Sequence, residues 1–437
     1  MAFREVALRK LCGCVAAAIV SLPWAGWAQA TSEPVPVVAV DNAPNSAAAQ
    51  ARPYVVLVSL DGFRYDYAAK FGAPHLEAMA REGVSAPEGM LPSYPSLTFP
   101  NHYTLVTGLY PEHHGIVGNS FYDPVRKETY VYTRAETNGD GSWYGGVPLW
   151  SLAESQGMRS ACLFWPGSEA KTAGFRPSYY LHFNDGLDDR RRLDQVVAWL
   201  GLPAAERPHF ITLYYSNTDH AGHGFGPDSA EERAAVHRVD DLMGELETRL
   251  KATRLPVDLI VVADHGMVAL QPPPVDLSSF ADLKGVKTVG SLLYAKDEAE
   301  AARLVAEFTA HPSERFKVYR RAAVPGRLEF DGNPREGDPV VVATGPYVLL
   351  TQPAVAAESG QVHGGHGFDP RAMPEMKALF VAEGPDFVRG KRLKTFENVD
   401  VYPLIAQVLG LRAPVVDGTL KPVEAGLTKA ARKRRVE

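Results

Sequence analysis

Three continuous apolar runs, each followed closely by an aspartate, constrain this chain more than any other feature. They are Tyr54-Val55-Val56-Leu57-Val58-Ser59-Leu60 before Asp61, His209-Phe210-Ile211-Thr212-Leu213-Tyr214-Tyr215 before Asp219, and Asp258-Leu259-Ile260-Val261-Val262-Ala263 before Asp264. Runs with many β-branched residues and no polar alternation suit parallel strands buried on both faces. Amphipathic stretches lie between them. Val236, Val239, Met243, Leu246 and Leu250 recur at steps of 3 and 4, which marks one face of a helix. Leu193 to Leu200 and Tyr402 to Leu409 are shorter helical stretches, followed by Gly201 and Gly410 as candidate caps. Ala161-Cys162-Leu163-Phe164 reads as a further buried strand. Strands alternating with helices predict an α/β fold with a central, mostly parallel sheet flanked by helices.

Length and charge narrow the function classes. The chain has 437 residues, 46% of them hydrophobic, which is enough for a large core without staples. Three cysteines make no disulfide framework. With 45 Lys+Arg against 51 Asp+Glu the net charge is −6, which argues against a stable nucleic-acid partner. Arg4, Arg9 and Lys10 precede an apolar stretch from Leu11 to Trp27, and Ala28-Gln29-Ala30 supplies small residues for cleavage. Residues 1–30 therefore read as a signal peptide, and the protein is expected to be exported, periplasmic or secreted. The apolar stretch is broken by Pro23 and is shorter than the roughly 20 residues of a spanning helix. No other run is long enough, so no membrane span is expected in the mature chain. Cleavage removes Arg4, Arg9 and Lys10 with Glu5, so the net charge becomes −8. Cys12 and Cys14 also leave, and Cys162 remains as a core residue.

Residues 31–51 lack periodicity and read as a flexible leader. The main domain is expected over 52–413, with 271–361 as a small inserted α+β subdomain. Within it Glu298 to Phe308 reads as a helix, and Phe316 to Tyr319, Pro339 to Ala343 and Tyr347 to Leu350 as strands. Residues 414–437 form a tail, whose basic end from Lys429 to Arg435 is expected to be solvated.

The chemistry gathers where the strands end. Ligands of open α/β sheets bind at the carboxyl ends of the strands. Asp61, Asp219 and Asp264 fall there, with His220, His223 and His265 close behind. His363-Gly364-Gly365-His366-Gly367 adds two more histidines on glycine-rich backbone. Carboxylates with imidazoles suit zinc or a similar divalent metal. One aspartate after a strand is usually a helix N-cap; four such segments in one chain point to a metal cluster. Thr98, in Thr98-Phe99-Pro100-Asn101-His102-Tyr103, sits near a helix start because Pro100 suits the first turn. Backbone N–H groups there favour an anion, and a metal can activate a threonine hydroxyl as a nucleophile. No Gly-rich P-loop occurs, which argues against an ATPase of that type.

These segments together resemble the nucleotide pyrophosphatase/phosphodiesterases of the alkaline phosphatase superfamily. The matching segments are Ser59-Leu60-Asp61-Gly62-Phe63-Arg64, the one around Thr98, Thr107-Gly108-Leu109-Tyr110-Pro111-Glu112 and His114-Gly115-Ile116-Val117-Gly118-Asn119. They continue with Asp219-His220-Ala221-Gly222-His223, Asp264-His265-Gly266-Met267 and His363 to Gly367. The resemblance runs in order from about Tyr54 to Leu411 and implies an alkaline-phosphatase-like core. It implies two zinc ions, one held by Asp219, His223 and His366, the other by Asp61, Asp264 and His265. Thr98 would bridge into the site as nucleophile. Asn119 and the backbone N–H of Phe99 would bind a non-bridging phosphate oxygen. Phe99 and Phe183 would stack a nucleobase, with Tyr214 lining the same pocket. His363, His220, His113 and His114 match the motifs but fall outside the ligand set.

The implied activity is hydrolysis of nucleotide phosphodiesters or phosphoanhydrides to nucleoside 5′-monophosphates through a phospho-threonine. A phosphomonoesterase would use the same metals. Trp165-Pro166-Gly167-Ser168 lacks the Lys and Arg pair that such enzymes add, and Phe99 and Phe183 favour a diester carrying a base. A lipid or choline phosphodiester is the further alternative within the family. A binding protein without catalysis is disfavoured because every implied ligand and nucleophile is in place.

Overall fold

The computed structural model describes residues 36–352 and 363–434. The expected signal peptide, residues 31–35 of the leader, 353–361 of the insertion and Arg435 lie outside the described residues.

The three apolar runs become neighbouring strands. Tyr54–Leu60 is the central one, buried at all seven positions. It pairs in parallel with Phe210–Tyr215 on one side and Val257–Val262 on the other. Burial on both faces explains why no alternation appears in these runs. The nine-stranded sheet runs in the order Val38–Ala39, Tyr179–Leu181, Ser160–Leu163, Phe210–Tyr215, Tyr54–Leu60, Val257–Val262, Phe380–Glu383, Val84–Ser85, Lys391–Arg392. The five strands from Tyr179–Leu181 to Val257–Val262 are parallel to one another. Antiparallel pairing enters only toward the edges, at Val38–Ala39 and Phe380–Glu383. The large parallel centre and the flanking helices bear out the predicted α/β class.

The helix read from the 3,4 spacing spans Ala230–Ala252, and Val236, Val239, Met243, Leu246 and Leu250 are all buried. Ser229 caps its start by accepting from Glu232 N, so the side chain pairs one of the free N–H groups there. Val401–Leu409 ends at Gly410 with φ +71°, a left-handed cap that glycine adopts without strain.

The leader and, in part, the C-terminal segment differ from expectation among the described residues. Residues 36–50 are not a free leader. Val38–Ala39 pairs with Tyr179–Leu181, and Ala47–Gln50 forms a helix capped by Ser46. Asn45 anchors the segment: its Nδ2 donates to Ala204 O (2.8 Å) and Arg207 O (2.7 Å), and its Oδ1 accepts from Arg159 N (2.7 Å). A two-residue edge strand and one helical turn are too short to leave a periodic signature. The C-terminal segment is docked through part of its length, while the basic Lys429, Arg432 and Lys433 are exposed, as expected. Leu427 and Ala431 are buried, and Arg434 pairs with both oxygens of Asp386 (2.7 and 2.8 Å).

Between the third main strand and His363 the chain builds small sheets and the helix Glu298–Ala310. Phe316–Tyr319 pairs antiparallel with Val340–Ala343. Val275, Leu277, Leu293, Leu304, Phe308 and Phe316 form a separate apolar cluster. Val324, Leu328 and Phe330 instead join the main core, so this stretch is fastened to the rest of the molecule.

Candidate active site

The site follows from strands that end level. Ser59 lies opposite both Tyr214 and Val262 in register, so the next residues of each strand emerge together. Asp61 N donates to Tyr215 O at 2.9 Å, and Gly62 N donates to Asp264 Oδ1 at 3.2 Å. Gly62 has φ +69°, and a Cβ there would lie 3.0 Å from Asp219 Cα; only glycine lets the two segments close this far. Asp219 is not at a strand end. It is the third residue of the helix Asn217–Phe225, with His223 one turn on and facing the same way. Thr218 joins this helix to the central strand by donating to Asp61 O at 2.5 Å.

His223 Nε2 lies 3.3 Å from Asp219 Oδ1, and His366 Nε2 lies 3.5 Å from the same oxygen and 3.1 Å from His223 Nε2. Beside them His265 Nε2 lies 3.5 Å from Asp61 Oδ1 and 3.0 Å from Asp264 Oδ2. The two expected ligand sets are thus gathered side by side, and the rings of His265 and His366 stack at 3.6 Å. Asp219 is close enough to group with Asp61 and His265 as well.

The backbone orients each imidazole. Nδ1 of His223 meets Gly364 O, Nδ1 of His265 meets Gly266 O and Nδ1 of His366 meets Ser96 O, each at 2.9 Å. A carbonyl only accepts, so each Nδ1 carries the proton and Nε2 points into the cluster. There it faces Asp61 Oδ1, Asp219 Oδ1 and Asp264 Oδ2, three buried oxygens that make no hydrogen bond of good geometry. Positive charge between such atoms would stabilise them. Protons supply it in part. Burial lowers His223 and His265, but Asp219 and Asp264 outweigh it and raise both above 6.5. Burial, with His265 and His223, lowers His366 to about 3. Burial first, then the charges of Asp264 and Asp219, pushes Asp61 well above 3.8. Divalent cations resolve the same conflict completely, and the carboxylate and imidazole donors fit them.

Thr98 opens the helix Thr98–Thr107, with Leu97 at the cap position and Pro100 in the first turn, where its missing N–H leaves no bond broken. Its Oγ1 lies 3.4 Å from His265 Nε2. Asn101 secures the preceding loop by donating to Pro95 O and Leu97 O (2.9 Å each) and accepting from Ser93 N (2.8 Å). Ser96 ties it to the His366 segment, donating to Phe368 O (2.8 Å) and accepting from Gly367 N (3.1 Å). Asn119 Oδ1 accepts from Phe99 N at 2.9 Å. That bond leaves the Asn119 amide Nδ2 as the donor turned away from Phe99, while the Phe99 N–H itself is engaged.

Phe99 is half-buried, and Phe183 is 53% exposed. Phe183 packs on the ring of Tyr214 at 6.2 Å. Tyr214, expected to line the substrate pocket, is buried, and its hydroxyl donates to Asp61 Oδ2 at 2.6 Å. Two residues escaped the sequence reading. His102, one turn after Thr98, joins Thr98 O (2.9 Å) to Ser59 Oγ (2.8 Å), with Nδ1 3.3 Å from Asp264 Oδ2. Its spacing from Thr98 was the available signal. Tyr132, 40% exposed, meets Phe99 edge to face at 5.1 Å, and its N–H donates to Asn119 O. Nothing local marked it, since a hairpin carries it there.

His363 and His220 are exposed, and His113 pairs with Asp417. His114 is buried against Thr104 Oγ1 at 3.0 Å. None of the four joins the cluster.

Carboxylates, imidazoles and a threonine gathered at the carboxyl edge of a largely parallel sheet are the parts of a hydrolase of phosphate esters. The sequence pattern described as type I phosphodiesterase/nucleotide pyrophosphatase matches residues 55–369, and the chain belongs to that family. An uncharacterized pyrophosphatase/phosphodiesterase of Schizosaccharomyces pombe is 36% identical over 385 residues, covering 84% of this chain and 78% of the yeast protein. Human ectonucleotide pyrophosphatase/phosphodiesterase family member 1 is 35% identical over 397 residues, covering 86% of this chain and 42% of the human protein. The chain thus spans less than half of that longer relative. Among solved structures, murine ectonucleotide pyrophosphatase/phosphodiesterase 5, as an inactive Thr-to-Ala variant in complex with AMP, superposes with a TM-score of 0.80 at 28% identity. The match covers 86% of this chain and all of the murine one.

Proposed function

We propose that this protein hydrolyses nucleotide phosphodiesters or phosphoanhydrides to nucleoside 5′-monophosphates, with Thr98 as nucleophile and two zinc ions as cofactors. One observation carries the reading. Three buried carboxylate oxygens that make no hydrogen bond face three imidazole Nε2 atoms, and one of these, His265 Nε2, lies 3.4 Å from the Thr98 hydroxyl. Asp219, His223 and His366 would hold one ion, and Asp61, Asp264 and His265 the other. Bound there, the ions would supply positive charge for the phosphate and lower the pKa of a nearby hydroxyl.

The chain's own groups do the rest. Thr98 Oγ1 attacks phosphorus, the bond to the leaving alcohol or nucleotide breaks, and a phospho-threonine forms. Water then cleaves the Oγ1–P bond and restores Thr98. The helix start at Thr98 holds the phosphate in a field favourable to anions. Asn119 Nδ2 donates to a non-bridging oxygen as charge builds there. Phe99 and Phe183 offer aromatic faces to a base. The inactive Thr-to-Ala variant and the AMP in the murine relative support this assignment.

Thr98→Ala tests it. Turnover of a chromogenic nucleotide diester should vanish while metal content and Tm are kept. Substantial residual turnover would exclude the covalent route. A faster rate on a chromogenic monoester than on the diester would favour a phosphomonoesterase.

A further inference from the structure

Asn119 is held from outside its own segment. Gly115 lies four residues before it and Asp123 four residues after. A single guanidinium reaches both. Arg335, on the stretch between the main strands and His363, donates from Nε to Asp123 Oδ2 at 2.8 Å and from Nη1 to Gly115 O at 2.9 Å. The same Nη1 also donates to Trp143 O at 2.8 Å. The fork is largely buried, with its plane near the rings of Phe121 and Trp143 (5.4 and 5.3 Å). The arm is shaped to admit it. Gly115 has φ +81°, and a Cβ there would stand 2.6 Å from Nη1. A second brace runs parallel: Tyr294 Oη donates to Arg335 O (2.8 Å) and accepts from Tyr122 N (2.9 Å).

We propose that Arg335 is a positioning residue for Asn119, and that placing this donor is what the inserted stretch contributes to catalysis. The inference rests on the reading of Asn119 as the donor to a phosphate oxygen. Arg335 touches neither phosphate nor metal ligand; it clamps both ends of residues 115–123 so that the amide in the middle stays fixed. A planar fork can reach a carboxylate and a carbonyl at once, whereas a lysine ammonium is a single point charge. A donor displaced by about 1 Å loses much of its effect on a transition state.

A double-mutant cycle tests this. kcat and KM for a chromogenic nucleotide diester are measured in the metal-loaded wild type, Arg335→Gln, Asn119→Ala and the double variant. Arg335→Gln should lower kcat about tenfold with KM within about twofold and the metal content unchanged. The double variant should be no slower than Asn119→Ala alone, because the residue being positioned is already gone. Arg335→Lys should recover only part of the loss. Losses that multiply in the double variant, or an unchanged kcat in Arg335→Gln, would overturn the proposal. Full activity in Asn119→Ala would instead sink the reading beneath it, and the proposal with it. Should the arginine variant not fold, Tyr294→Phe repeats the test by deleting one bridging hydroxyl and no charge. Its smaller loss should again disappear in the Asn119→Ala background, and no loss at all would count against the clamp.

Discussion

Tyr214→Phe isolates a single bond of the proposed metal site. The change deletes the hydroxyl that donates to Asp61 Oδ2 at 2.6 Å and keeps the ring that packs on His102 and Phe183. The bond's worth depends on the charge of Asp61. In the metal-free protein, burial and the neighbouring Asp264 and Asp219 hold that carboxyl well above its ordinary value, which favours its neutral form. A neutral hydrogen bond contributes about 1 kcal/mol. With a cation bound Asp61 is ionised, and a hydrogen bond to a charged group contributes about 1.5–3 kcal/mol. The difference, about 0.5–2 kcal/mol, is what metal binding loses, or roughly 2- to 30-fold in affinity. Zinc competition against a chromogenic chelator measures it directly. The Tm of the metal-free variant should fall by only about 1–3 °C. Equal affinities in the two proteins would refute the reasoning, for Asp61 would then carry the same charge with and without metal. A metal-free Tm loss far beyond this range would show that the hydroxyl serves the core instead.

Two further outcomes follow from groups at opposite ends of the parallel strands. Phe183 is 53% exposed, so Phe183→Ala should leave the fold intact. It should raise KM for a nucleotide diester by about 5- to 100-fold, the worth of one stacked base, and leave a small diester without a base nearly unaffected. Equal losses on both substrates would remove Phe183 from base recognition. Asp258 is the second residue of the strand Val257–Val262, at the end away from the site, and burial, with Asp386 adding its charge, raises its pKa to about 8. The folded state therefore keeps a proton that the unfolded chain has lost, so stability declines as pH rises from about 4 to 8. Asp258→Asn should flatten Tm against pH over that range, and parallel curves for the two proteins would contradict the assignment.

The parts legible in the sequence are those written by burial and by local chemistry. Tyr54–Leu60 announced itself because a strand covered on both faces must be apolar throughout. Asp61, Asp264 and His265 followed because such strands end at one edge. The fit of Ser160–Leu163 and of Ala230–Ala252 has the same origin. What was hidden depends on long-range closure. Val38–Ala39 is too short to leave a pattern, and its partner lies about 140 residues away. Tyr214 sits inside an apolar run, where a hydroxyl aimed at Asp61 looks no different from a core ring. Tyr132 reaches Phe99 only because a hairpin folds back over Asn119. His102 lay inside a recognised segment, but its role depends on Ser59 and Asp264 from two other strands.

The three imidazoles that point inward share a property with consequences for how such a site changes over time. Each ring is set by a main-chain carbonyl, at Gly364, Gly266 or Ser96. A carbonyl cannot be mutated away. Neighbouring side chains can therefore drift without turning a ring or moving its proton, and the donor geometry tolerates divergence around it. The same arrangement resists redesign. Selection for a changed donor geometry would find few useful substitutions next to the histidines and would have to act on the backbone paths that carry the three carbonyls instead.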